Sequence, residues 1–129
     1  MSTYYFSRLF NWDFDTAINR VTEALQQEGF GILTEIDVKE TLKKKLDVDF
    51  RRYKILGACN PPFAYQALQA EDKIGTMLPC NVIVQEKPEG GVEIAAVDPL
   101  ASMQAVANDT LRNVAIQVQE KLKKVIENL

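Results

Sequence analysis

Helix-type and strand-type hydrophobic patterns alternate along the chain, and this alternation predicts a mixed fold of helices and strands. The clearest helix begins at the N-cap Asp13 and runs to about Glu28, with one apolar stripe and a left-handed stop at Gly29. Strand patterns with a period of two lie at residues 3–10, 30–36, 54–58, 82–86 and 92–97. The predicted order is therefore β-α-β-α-β-α-β-β-α-α, an α+β domain with about five strands.

Side-chain periodicity also predicts which residues of the second strand and the second helix are buried. In the strand at 30–36, Phe30, Ile32 and Ile36 fall on one face. Asp37 then caps a short helix, because a glutamate follows it three residues later in a capping-box arrangement. The predicted buried edge of that helix is Val38, Leu42 and Leu46.

The last helix has a wide apolar stripe with spacings of four and three. Its members are Leu111, Ala115, Val118, Leu122, Val125 and Leu129, with Val114 and Ile126 widening it. Packing on the sheet explains such a stripe. Because the stripe is wide and the helix terminal, cover of part of the stripe by a second subunit is the alternative explanation.

Length and composition predict one domain over residues 1–129. A chain of 129 residues with 47% hydrophobic and 26% charged residues is long enough to bury a core of its own. No apolar run reaches the roughly 20 residues that span a bilayer, and the first residues lack the pattern of a secretory signal. We therefore expect a cytoplasmic protein without a membrane partner, whose two cysteines are thiols.

The chain contains no histidine, which excludes catalysis by Ser-His-Asp or Cys-His arrangements and zinc sites that need histidine. Two cysteines also fall short of a four-thiolate zinc site. Glycine-rich phosphate-binding motifs are absent from the sequence as well. We predict no cofactor, no metal and no catalytic residue, and we favour a protein that is not an enzyme.

Two Cys-Asn pairs flank a helix that begins with proline, and they mark the predicted site. Cys59 ends one strand, Asn60 is the expected N-cap, and Pro61 is the first helical residue. Cys80 and Asn81 begin the next strand. If the two strands pair antiparallel, the end of the first and the start of the second meet at one edge of the sheet, and the two thiols are neighbours.

This region has two functional interpretations and one structural interpretation. Thiol chemistry would use Cys59 at a helix N-terminus, with a lowered pKa helped by Arg52 or Lys54, cycling with Cys80. Alternatively, the two Cys-Asn pairs, Tyr65 and Asp98 line a small polar pocket. The structural interpretation is that the cysteines are small apolar fillers and the asparagines are cap and turn residues.

Basic residues concentrate between Lys39 and Lys54. This window holds seven basic and three acidic residues, so it is net +4, whereas the rest of the chain is net −7. The candidate phosphate-binding residues are Lys43, Lys44, Lys45, Arg51 and Arg52. Because only Phe50 and Tyr53 interleave as aromatics, we favour a solvated helix face over a nucleic-acid site.

Several motifs together resemble the domain-of-unknown-function family numbered 302. The resembling segments are Phe14–Ala17, Glu28–Asp37, Lys45–Leu46, Ile55–Pro61, Leu78–Val82 and Val97–Asp98–Pro99. The chain departs from the family where Asp109–Thr110 replaces a proline expected near the start of the last helix. The resemblance implies a fold similar to one repeat of the TATA-binding protein, a curved, mainly antiparallel sheet with helices on one face, and a homodimer. It implies no activity, cofactor or catalytic residue.

Three functions remain open on the sequence. The first is a dimeric module that binds a small ligand or another molecule at the two Cys-Asn pairs. The second is a redox or sulfur carrier that uses Cys59 and Cys80. The third is a weak nucleic-acid binder that uses the basic window, and the acidic character of the whole chain argues against it.

Overall fold

The structure, a computed structural model, describes residues 3–129. The five strands are β1 (Tyr5–Phe10), β2 (Gly31–Asp37), β3 (Tyr53–Cys59), β4 (Cys80–Glu86) and β5 (Val92–Val97). The helices are α1 (Phe14–Gln27), α2 (Val38–Leu46), α3 (Pro61–Ala70), α4 (Pro99–Ser102) and α5 (Asp109–Glu127), and a 3-10 helix at Asp72–Met77 follows α3. The predicted α+β class and element order are confirmed.

The five strands form one antiparallel sheet in the order β1-β5-β4-β3-β2. The long connections contain the helices, and the β4–β5 connection is a tight hairpin whose Gly90 and Gly91 have positive φ angles. Ala58 lies opposite Cys80 in the register of β3 and β4. The end of β3 therefore meets the start of β4 at one edge of the sheet, as the sequence predicts.

The core lies between one face of the sheet and the helices α1, α3 and α5. On that face, Leu56, Val82, Val84 and Ile94 are fully buried. The apolar stripe of α5 is buried from its first turn to its last within the same chain. Of the two explanations for this stripe, packing on the chain's own sheet and helices is the one that accounts for its burial.

A β-bulge in β2 overturns one predicted side-chain orientation. Ile32 lies opposite Ala58, on the core face of the sheet, but the register shifts between Ile32 and Thr34. Ile36 consequently lies opposite Ile55, on the other face, where it is 48% exposed. One extra residue in a strand reverses the face of every side chain that follows it, which is why Ile32 and Ile36 do not share a face.

The second helix contributes no fully buried side chain, contrary to the predicted buried edge. Val38 and Leu42 are half-buried, and Leu46 is 66% exposed. The helix follows β2 directly and packs chiefly on the edge strand β2 and its neighbour β3, away from the core helices. Only the first part of the predicted edge therefore has anything to pack against.

The face of the sheet opposite the core helices, here called the outer face, carries several apolar side chains. Strand pairing places Tyr5 opposite Val97, Ile83 opposite Ala95, and Ile36 opposite Ile55. Ile83 also lies opposite Ile55, and Leu9 opposite Glu93. The apolar residues of the outer face are Tyr5, Leu9, Ile36, Ile55, Ile83, Ala95 and Val97.

None of the described helices is long and apolar enough to cross a membrane.

Candidate functional site: an apolar cavity beside the two cysteines

A cavity of about 310 Å³ lies between α3, the 3-10 helix, α5 and the adjoining ends of β3 and β4, and it is partly open to solvent. Its walls are almost entirely apolar. They are formed by Phe30, Leu33, Ala58, Cys59, Asn60, Phe63, Ala64, Ala67, Leu68, Gly75, Leu78, Pro79, Cys80, Pro99, Met103, Val114, Ala115 and Val118. The volume is at the lower end of what small-molecule sites use.

Small side chains on the facing elements create this space. Helix α3 contributes Ala64 and Ala67, helix α5 contributes Ala115, and the 3-10 helix contributes Gly75. A leucine at any of these positions would fill part of the volume. Because protein interiors are otherwise packed to crystal-like density, a cavity of this size that opens to solvent suits an apolar guest.

Both cysteines line the cavity, and neither is in a disulfide. Cys80 is buried and Cys59 is half-buried. Burial and, to a smaller extent, the neighbouring Cys59 together raise the pKa of the Cys80 thiol to about 11. Cys80 is therefore protonated near neutral pH. It is unreactive there, because only the thiolate is an effective nucleophile.

Asn60 occupies the N-cap position of α3, but its side chain makes no capping hydrogen bond. Its Nδ2 instead donates to the carbonyl oxygen of Glu28, 3.2 Å away. A Cβ atom at Gly29 would lie 3.0 Å from that nitrogen, so the α1–β2 turn and Asn60 fit closely. The predicted role as a side-chain cap is therefore wrong: the amide ties the start of α3 to the end of α1.

Four other predicted residues lie outside the cavity. Asn81 is exposed on the outer face, opposite Gly57, because it is one residue from Cys80 in a strand and so points to the other side. Pro61 and Tyr65 are exposed on α3, and Tyr65 is 66% exposed. The Asp98 carboxylate accepts from Leu100 N, Ala101 N and Gln119 Nε2 at the start of α4.

The site therefore differs from the small polar pocket that the sequence suggested. Of the predicted residues, only Cys59, Asn60 and Cys80 meet at the cavity. Sequence reasoning missed the apolar wall, which includes Phe63, Met103 and Val118. The alanines of α3 and α5 were the available indication, since alanine on a buried helix face leaves room for a neighbour.

Arg52 and Lys54, proposed as activators of the Cys59 thiol, lie at the other end of β3. The Arg52 guanidinium bonds to Asp15 Oδ1 at 3.0 Å, and Lys54 Nζ bonds to Glu35 Oε1 at 3.2 Å. A seven-residue antiparallel strand is about 20 Å long, which is too far for either cation to act on Cys59.

Four of the seven cations of the basic window face carboxylates, some within the window itself and others, Asp15 and Glu35, from other segments. Lys43 lies 2.9 Å from Asp47 and 3.7 Å from Asp49, and Lys44 lies 3.1 Å from Glu40. Arg51 donates to the Gln85 side chain and lies over the rings of Phe50 and Tyr53. Lys45 is exposed in the last turn of α2. These exposed pairs add little stability, but they offset the local positive charge that a phosphate would need.

The fold and the site together define a small α+β protein with an apolar cavity where the ends of β3 and β4 bring its two cysteines together. The family model described as "Domain of unknown function DUF302" matches residues 6–129, and the chain belongs to this family. A comparison with curated proteins gives no match.

A solved structure shares this fold over almost the whole length. The crystal structure of an uncharacterized conserved protein DUF302 from Bacillus stearothermophilus is similar, with a TM-score of 0.90 and 27% sequence identity. The similarity covers 98% of this chain and 98% of that chain. It supports the arrangement of sheet and helices described above and names no activity.

Proposed function

We propose that this chain is a single-domain binding module that holds a small apolar molecule in the cavity between α3, α5 and the sheet edge. The observation that carries the proposal is the cavity of about 310 Å³, open to solvent and lined by carbon and sulfur. Each methylene that leaves water gains about 0.8 kcal/mol. A chain of six to ten carbons would therefore gain roughly 5–8 kcal/mol before the costs of association.

The two thiols suit a role as part of the cavity wall better than a role in redox or sulfur-transfer reactions. A protonated thiol is a weakly polar wall, and the raised pKa of Cys80 keeps it in that form. A redox or sulfur carrier needs a ready thiolate, which burial disfavours at this position. The basic window supports nucleic-acid binding less well, because four of its seven cations, Lys43, Lys44, Arg52 and Lys54, already face carboxylates.

We extend the proposal to the oligomeric state, the cellular location and the architecture of the protein. A homodimer is supported by the exposed apolar side chains of the outer face. A cytoplasmic location is supported by two unpaired cysteines, which that compartment keeps reduced. The antiparallel sheet with its core helices on one face supports an architecture like one repeat of the TATA-binding protein, as a likeness of shape only.

The test titrates the full chain with 1-octanol and monitors binding through the NMR chemical shifts of the backbone amides. We expect saturable shifts at α3, α5 and the start of β4. Ala64→Phe places a ring into the cavity wall and should weaken octanol binding at least tenfold. Gln66→Phe adds the same ring to the exposed side of α3 and is the matched control.

Two results would overturn the proposal. The first is the absence of shifts at the cavity amides up to the solubility limit of octanol. The second is unchanged octanol binding by a folded Ala64→Phe variant. Retained binding in Gln66→Phe is needed for the comparison, since both variants carry an added phenylalanine on the same helix.

A further inference from the structure

The outer face exposes large apolar side chains along its whole length. Leu9 on one edge strand is 59% exposed, and Ile36 on the opposite edge strand is 48% exposed. From Ile36, an apolar row runs through half-buried Ile55 and Ile83 to the small Ala95, which lies opposite Ser7, and Leu9 lies two residues further along β1, opposite Glu93. Continuous apolar surface of this kind marks an interaction site in a soluble protein.

Polar groups at one end of the outer face are already paired within the chain. Gln85 is only 8% exposed, and its amide is satisfied within the chain. It accepts a hydrogen bond from Arg51 Nε at 2.9 Å and donates one to Glu93 Oε1 at 2.8 Å. Lys87 lies 4.0 Å from the same Glu93 oxygen. The face therefore offers a partner apolar contact and little unmatched charge, so a strongly charged partner gains nothing there.

The area suits a second copy of the chain. Five strands spaced about 4.8 Å apart and six residues long give a flat footprint of about 480 Å². Two such faces in contact bury close to 1,000 Å², even before the additional area of protruding side chains is counted. This area is near the lower limit for a specific interface. A second copy also supplies a matching surface by symmetry, at equal concentration.

The outer face contains a hollow of about 420 Å³. Ile83, Ala95 and three tyrosines line it, together with the polar Asn81, Gln85 and Glu93. A two-fold axis near Ile83 and Ala95 would set the hollows of the two copies against each other, so that the same residues line both sides of the contact, as in an isologous interface.

We propose that two copies of this chain associate through the outer faces of their sheets, with Ile83 and Ala95 near the two-fold axis. The inference rests on the homodimer of the proposed function and adds the surface that forms it. The cavity lies on the other side of the sheet, so association leaves its opening free.

Sedimentation equilibrium of the full chain tests the proposal, with Ile83→Glu as the central variant. We expect a wild-type dimer and at least a hundredfold weaker association for Ile83→Glu, because two carboxylates would be buried together. Ile36→Lys, at an already exposed position, should weaken association with little risk to folding. Tyr65→Glu removes an equally large exposed side chain from α3 and is the control.

A measurement on the wild type alone guards against variants that fail to fold. With a soluble paramagnetic relaxation agent, the methyl groups of Ile83 and Ile36 should be protected at high protein concentration and exposed on dilution. A monomer at all concentrations overturns the inference, as does a dimer broken by Tyr65→Glu but not by Ile83→Glu.

Octanol titration of the same samples separates the two proposals. Association lost in Ile83→Glu with octanol binding kept supports the outer face as the interface and the cavity as a separate site. Association as predicted with no octanol binding supports the interface and removes the proposed ligand. Octanol binding by a chain that never associates removes the interface and leaves the cavity.

Discussion

At the scale of single residues, Cys80 shows how position determines chemistry. It stands at the first position of β4 and points into the cavity wall, where burial raises its pKa from the usual 9.0 to about 11. The folded protein therefore holds a proton that the unfolded chain releases near pH 9. The contribution of Cys80 to stability is complete below that pH and is lost as the pH rises through 11.

The direction of this pKa shift predicts how the stability of the protein changes with pH. Between pH 8 and pH 11 under reducing conditions, the wild type should lose up to about 2–3 kcal/mol of unfolding free energy more than Cys80→Ala does. Urea unfolding of both proteins across this range measures the difference, and every other ionisable group is common to both. Parallel pH profiles would show that Cys80 ionises freely in the folded state.

Gly57 is required by close packing on the outer face. A Cβ atom at this position would overlap the Thr34 hydroxyl and lie 2.7 Å from Pro79 Cγ. We expect Gly57→Ala to destabilise the protein by about 1–3 kcal/mol, the usual cost of overpacking. Thermal or urea unfolding measures this.

Gly31 on the neighbouring strand is the matched control for Gly57. A Cβ atom there would meet nothing within 4 Å, so Gly31→Ala should be neutral or stabilising by up to about 1 kcal/mol. Equal losses in both variants would mean that the backbone, and not the contact with Thr34 and Pro79, determines the effect.

At the scale of helices and strands, the sequence predicted most of what forms. Asp13 and Asp37 accept capping hydrogen bonds at the helix starts where the sequence predicts them, and Asp98 and Asn108 cap α4 and α5 in the same way. Caps and periodicity are local properties, so they can be predicted from the chain alone. The bulge in β2 is different, because it depends on how that strand pairs with β3.

Asn108 joins two helices and gives a prediction at this scale. Its Oδ1 accepts from Leu111 N at 3.0 Å, and its Nδ2 donates to the Ala70 carbonyl at 2.7 Å, so it caps α5 and holds the end of α3. Asn108→Ala should cost about 1–2 kcal/mol of unfolding free energy in urea. Asn108→Asp keeps the cap and loses the second bond, so its cost should be intermediate.

Asn113→Ala, at an exposed position on the same helix, controls for the loss of an asparagine. It should leave stability unchanged or raise it slightly, since alanine favours helix. A loss there as large as in Asn108→Ala would contradict the role given to the two hydrogen bonds.

At the scale of the whole molecule, the fold was predictable and most of the site was not. The edge where Cys59 and Cys80 meet followed from antiparallel pairing. The cavity did not, because it forms where alanines of α3 face alanine and valine side chains of α5, and that depends on how two distant helices pack. The exposed positions of Tyr65 and Asn81 likewise depend on orientation, which residue type does not determine.

The shift in register within β2 has a consequence for both surfaces of the molecule. Leu33, the unmatched residue, lies at the cavity, while Ile36 beyond it faces the opposite way. A regular strand would have sent its isoleucines to one side only. One inserted residue in this edge strand therefore turns Leu33 toward the proposed ligand cavity and Ile36 toward the proposed dimer face.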